Sequence, residues 1–137
     1  MAHFAKSFSI VTRSHNEVVD ITEEVARIVT ESGVRDGQLA VYTPHATASV
    51  TVNENDDPNI GADFLRALGK MVPEHDGWLH DRVDNNAAAH IKSALVGPSV
   101  VIPLIDGKLA LGTWQNVFFC EFDGPRRERR IIVSIAY

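Results

Sequence analysis

The stretch from Ser99 to Tyr137 constrains the fold most, because it reads as strand after strand with no helix between. Ser99–Ile105 is a nearly continuous apolar run. Asp106-Gly107 follows, the dipeptide a tight type I′ hairpin asks for, since both of its central residues need positive φ. Beyond the Gly-Thr-Trp-Gln step at 112–115 the chain alternates. Gln115, Val117, Phe119, Glu121 and Asp123 share one face of a strand, and Trp114, Asn116, Phe118, Cys120 and Phe122 share the other. Gly124-Pro125 turns the chain again. After an arginine-rich step, Ile131, Val133, Ile135 and Tyr137 alternate as a last strand. Strands that run consecutively favour an antiparallel or mixed sheet, hence an α+β fold rather than a doubly wound one.

Upstream, Phe4, Phe8 and Ile10 are spaced for one strand face, and Ser14-His15-Asn16 reads as a turn. Asp20 is placed as a helix cap with Glu23 at the capping-box position, and Ile21, Val25, Ile28 and Val29 form the buried stripe up to the Gly33 stop. Gln38–Thr43 reads as a short strand, and His45 to Asn53 as a second one with clean alternation. His45, Thr47, Ser49, Thr51 and Asn53 form its polar face, which is either solvated or the lining of a cleft. Asp56-Asp57-Pro58 opens a helix with Phe64, Leu65, Leu68 and Met71 as its apolar stripe, and Pro73 closes it. Glu74–Arg82 reads as a loop. Asp84-Asn85-Asn86 is placed as the cap of a third helix, Ala87–Leu95, with Ile91, Ala94 and Leu95 as its core face.

The expectation is therefore one α+β domain over residues 1–137, with a mixed or antiparallel sheet of about seven strands and three helices. A chain of this length buries a core without disulfides, and the lone Cys120 reads as an inert buried thiol. A net charge of −5 argues against a general nucleic-acid binder. No apolar run reaches membrane-spanning length, and Met1–Ser14 lacks the apolar core of a signal peptide, so a cytoplasmic protein without membrane contact is expected.

Three groups of residues stand out for chemistry. Among the six histidines, His45 opens a polar strand face, His80 lies near the acid-amide run at 84–86, and His90 follows that run on a helix. Three imidazoles from separate segments are the donor set of a zinc site, with Glu121, Asp84 or Asn86 to orient the rings, although no compact motif such as H-E-x-x-H is present. Glu121, an acid ending an apolar strand, either points out at an edge or meets a cation. Arg126, Arg127, Arg129 and Arg130 are either solvated or set to pair with phosphate, with Arg127 and Arg129 on one face and Arg126 and Arg130 on the other.

The segment LGTWQNVFFCEFDGPRRER resembles the C-terminal signature of the YjbQ family, small proteins described as secondary thiamine-phosphate synthases. The resemblance runs back over nearly the whole chain. HATAS at 45–49 is similar to the family's His-Thr-Ser-Ala-Ser segment, from which it departs at Ala46. WLH at 78–80 is similar to its aromatic-x-His step, and NNAAAH at 85–90 to its Asn-to-Ala-His helix. The resemblance implies a YjbQ-like fold, a homotrimer, and a pocket of polar and histidine residues that takes a small phosphorylated metabolite. It supports Thr47, Ser49, Asn53, Trp114, Gln115 and Arg126 as ligand contacts, and Glu121, Asp84 and Asn86 as catalytic groups. His45, His80 and His90 are then expected to face one cavity and hold a divalent metal, zinc or magnesium. The implied reaction joins a pyrimidine-methyl diphosphate to a thiazole phosphate and releases pyrophosphate. A metal-dependent hydrolase, with Glu121 or Asp84 handling the proton, and a non-enzymatic small-anion or metabolite binding protein remain open beside it.

Overall fold

The computed structural model covers residues 1–137. The elements run β1 (His3–Thr12), β2 (Glu17–Asp20), α1 (Thr22–Ser32), β3 (Gly37–Tyr42), β4 (Ala48–Asn53), α2 (Asn59–Met71), α3 (Ala87–Val96), β5 (Ser99–Ile105), β6 (Lys108–Leu109), β7 (Asn116–Glu121) and β8 (Arg126–Ala136), with one 3-10 turn at Leu79–Arg82. The strands form two sheets, β1-β8-β3-β5-β6 and β2-β7-β4, with every pairing antiparallel. This is a single α+β domain with three α-helices and eight strands. The eighth strand is β2, hidden in the sequence because Glu17–Asp20 is too short to alternate visibly.

The layers follow from β7, which is buried on both faces. Val117 and Phe119 point into the space between the sheets and meet Leu39, Val41, Ile102, Leu104, Ile131, Val133 and Ile135, with Val25, Ile28 and Val29 of α1. Phe118, Cys120 and Phe122 point the other way, against Leu68 of α2 and Ala89 of α3. Burial pushes the Cys120 thiol up to about 12, so it stays protonated and inert. The hairpin at Asp106-Gly107 has the required positive φ at both residues, 52° and 77°.

Several local expectations are corrected. The N-cap of α1 is Ile21 rather than Asp20, whose carboxylate accepts the Thr22 N–H (2.9 Å) and hydroxyl (2.6 Å) from one residue earlier, and Glu23 completes no capping box. On α2 the inward residue of the last turn is Val72, and Met71 is exposed. The strand read from His45 begins at Ala48, leaving His45–Thr47 in the connection before it. Most consequentially, α3 buries the opposite side from the one expected. Ala87, Ala88, Ala89, Lys92 and Ser93 face inward, while Leu95 is 58% exposed. Small residues let the helix backbone approach β4 closely enough for Ser49 Oγ to donate to the Ser93 carbonyl (3.0 Å) and Ser93 Oγ to the Ala48 carbonyl (2.6 Å). The face of β4 that was a candidate cleft lining is thus partly roofed by α3.

Candidate functional site

The polar groups of the molecule converge where β7 ends. Glu121, the last residue of that strand, is fully buried. It does not point out at an edge; it meets Arg129 of β8, which is buried as well. Arg129 Nε donates to Glu121 Oε1 at 2.8 Å, one terminal nitrogen pairs with Oε2, and the same nitrogen reaches Thr47 Oγ1 at 2.9 Å. Thr12 donates its hydroxyl to Glu121 Oε1 at 2.6 Å, and the Asp123 N–H donates to Oε2 at 3.0 Å. Burial alone would push the Glu121 carboxyl up. The hydrogen bonds from Arg129, Thr12 and the Asp123 N–H outweigh it and hold the carboxyl below its ordinary value.

This buried pair organises the Gly124-Pro125 turn. Thr12 Oγ1 accepts the Arg126 N–H at 3.0 Å, and the Arg126 guanidinium bonds the Asp123 carbonyl (2.9 Å) and carboxylate (2.9 Å). Asn86 donates to the same carboxylate at 2.9 Å, which draws the start of α3 to the turn. Gly124 admits no side chain, because a Cβ there would collide with the Ser14 carbonyl and the Glu121 side chain. The ring of His15 lies between the Gly124 carbonyl (3.3 Å) and the Glu74 carboxylate (3.1 Å), and buried Lys92 reaches Asn16 (3.3 Å) and Glu74 (3.7 Å).

His45 stands over the arginine side of this network. Its Nε2 accepts the Arg130 N–H at 2.9 Å, which fixes the neutral tautomer with the proton on Nδ1. Its pKa is lowered, first by burial and then by the Arg129 charge; Glu121 pulls the other way, and Arg126 and Arg130 add smaller lowering effects. His45 is therefore a neutral ring with its proton on Nδ1, lying within the field of the nearby arginine charges, an arrangement suited to an anion.

The residues singled out from the sequence divide into groups. Thr47, Glu121, Arg126 and Asn86 belong to one network, although Thr47 is committed to Arg129 and Ser49 is buried beneath α3. His80 and His90 stack edge to face with ring centroids 4.8 Å apart, and Asp84 lies 3.9 Å from His80. No group of three or more His, Cys, Asp or Glu side chains in the chain is arranged to hold a metal ion, so His45, His80 and His90 do not fit one within a single chain. Asn86 does occupy the N-cap position of α3, but its side chain makes no capping bond; Asp81 accepts the Ala87 N–H at 2.9 Å instead. Asn53, Trp114 and Gln115 lie at the other end of β7. Asn53 pairs with Asn116 while Ala48 pairs with Glu121, and the strand between spans about 17 Å. Along a strand, period two puts residues on one face but does not bring them together.

Thr12, Asp123, His15 and Lys92 escaped the sequence reading, and Arg129, read there as solvated or phosphate-pairing, is instead the partner of Glu121. Arg129 had a signal, since the Ile131, Val133, Ile135 alternation extended back by two places puts it on the core side. The others are joined only by contacts distant in sequence.

The sequence pattern of the family described as UPF0047 protein YjbQ-like matches residues 6–137. A UPF0047 protein of Archaeoglobus fulgidus is 47% identical over 127 residues, covering 93% of this chain and 98% of that one. YugU of Bacillus subtilis, a UPF0047 protein, is 44% identical over 122 residues, covering 88% of this chain and 91% of its own. Among solved structures, a YbjQ-like protein of unknown function from Sulfolobus solfataricus superposes with a TM-score of 0.95 at 36% identity, covering 98% of this chain and 96% of that one. A YjbQ/UPF0047 protein of Clostridium acetobutylicum gives 0.91 at 44% identity, covering 96% of this chain and 99% of that one.

Proposed function

This chain belongs to the UPF0047 (YjbQ-like) family, and we propose that it is an enzyme acting on a small phosphorylated metabolite, with transfer of the secondary thiamine-phosphate synthase type as its reaction. The observation that carries the reading is the Arg130 N–H donated to His45 Nε2, which leaves the ring its Nδ1–H, together with the Arg126 guanidinium of the same strand, held at Asp123. In that reaction the thiazole nitrogen attacks the pyrimidine methylene, the C–O bond to diphosphate breaks, and its electron pair leaves on the diphosphate oxygen. The charge that develops there needs positive groups and N–H donors already in place. Arg126, held at the Asp123 carboxylate, and the Nδ1–H of His45 are the groups suited to it. Arg129, spent on Glu121 and Thr47, contributes its field only. A divalent ion would come with the diphosphate, since magnesium is held largely through substrate phosphates; the reading needs no three-histidine site.

Incubating the purified protein with both substrates and magnesium, and measuring pyrophosphate release, tests it. Release is expected, and Arg126→Ala should lower it by about a hundredfold, the scale of losing one preorganised charge contact. A pyrophosphate-dependent rise in melting temperature with no release in any preparation would instead make the protein a small-anion binder.

A further inference from the structure

A second feature involves residues that the reading above does not use. His75, Gly77, Trp78, Asp81 and Asn85 line a hollow of about 370 Å³. We propose that this hollow binds a planar, nitrogen-bearing ring, the heterocyclic half of the phosphorylated metabolite. The inference deepens the proposed function and rests on it for the identity of the ring.

The backbone is the first argument. Only three non-glycine residues have positive φ, and one of them, Asp106, is accounted for by its hairpin turn. The other two, His75 at 54° and Asn85 at 57°, both line the hollow, together with Gly77 at 78°. Left-handed residues held in place by their surroundings gather where a chain is shaped around a ligand. The side chains are the second argument. Trp78 spends its indole N–H on the Pro73 carbonyl at 2.8 Å, so its polar edge is already satisfied and the aromatic ring is its contribution to the lining. Asp81 uses Oδ1 on the Ala87 N–H, while Oδ2 lies 3.7 Å from His75 Nδ1, too long for a hydrogen bond. Asn85 makes no side-chain hydrogen bond within the chain, so its amide can pair with a ring edge. An aromatic face with a carboxylate oxygen and an amide beside it recognises a flat ring that donates N–H groups, such as an aminopyrimidine.

The third argument is position. The next residue, Asn86, is tied to Asp123 at 2.9 Å, and Asp123 holds Arg126 at 2.9 Å. The dipeptide Asn85-Asn86 thus connects the lining of the hollow to Asp123, the residue that holds Arg126.

The test titrates the full-length protein with a phosphate-free 4-aminopyrimidine, and the Trp78 signal is the part of the tryptophan emission that Trp78→Phe removes. Saturable quenching of Trp78 emission is expected. Asn85→Gly keeps the positive φ but removes the amide, and Asp81→Asn keeps the Ala87 acceptor but replaces Oδ2 by a donor. Each should weaken the ring by about tenfold, the loss of one hydrogen bond, with folding confirmed by circular dichroism. No saturable response, or an unchanged affinity in both folded variants, would overturn the proposal. The outcome separates from the transfer reaction: pyrophosphate release without a Trp78 response removes the ring site alone, whereas ring binding without release removes the transfer reaction and keeps the hollow as a binding site.

Discussion

Glu121 and Arg129 show how one residue's setting governs a site. The pair is buried, so removing either partner strands the other charge away from water, at a cost of about 3–5 kcal/mol, whereas replacing both can be nearly neutral. Glu121→Gln should therefore destabilise the fold by that amount in a denaturant titration, and Glu121→Gln/Arg129→Met should recover most of it; a single variant as stable as the parent would mean the pair is solvated. Because the Glu121 carboxyl titrates below its ordinary value of 4.5 when folded, its contribution is complete above pH 4.5 and falls away as pH drops through the folded value. His45 has the same sign at a higher pH. Its folded pKa lies below 6.5, so the neutral form is favoured, and the contribution is complete above pH 6.5 and lost as acid charges the ring. Imidazole NMR titration should find His45 with a midpoint below 6.5 and its proton on Nδ1 at neutral pH; a proton on Nε2 would break the Arg130 contact from which the anion site is argued. The oddity of Glu121 was legible from the sequence because an acid among Val and Phe needs a partner. Which arginine would supply it was half legible, through the alternation of β8.

At the scale of the element, α3 is where sequence patterning pointed to the wrong face. Large apolar residues normally mark the buried side of a helix, and Ile91, Ala94 and Leu95 have that appearance. The helix instead packs through alanine and serine, because its neighbour β4 exchanges hydrogen bonds with it at backbone distance. Ala88→Leu should then overpack the contact and cost about 1–3 kcal/mol, while Leu95→Ala should change stability by less than about 0.5 kcal/mol. Thermal melts of the two variants check the assignment, and the reverse order would restore the patterned face. The strands were easier to read because Asp106-Gly107 and Gly124-Pro125 punctuate them locally. The division into two sheets was not legible, since pairings such as His3 with Ala136 and Glu17 with Glu121 join residues far apart in sequence.

At the scale of the whole molecule, the layers leave one surface uncovered. The helices α2 and α3 cover the outer face of the three-stranded sheet, but no element of the chain covers the outer face of the five-stranded one. Its alternation exposes Val101 (64%) and Ile105 (56%) on β5, and Tyr42 on the adjoining β3. Apolar residues grouped on an open sheet face suit burial against another protein surface. A second consideration concerns the two ends of β7. Asn53, Trp114 and Gln115 lie about a strand's length from Glu121, so if they contact the same ligand as His45, they do so where copies of the chain meet. Both considerations accord with the homotrimer implied by resemblance to the family. Light scattering should give a mass three times that of the 15.1 kDa chain, and charges placed on the open face, as in Val101→Glu/Ile105→Glu, should reduce it to one. If the trimer persists in that variant, its contacts lie elsewhere. If the parent protein is a monomer at micromolar concentration, the homotrimer is ruled out, and Asn53, Trp114 and Gln115 cannot share a ligand with His45.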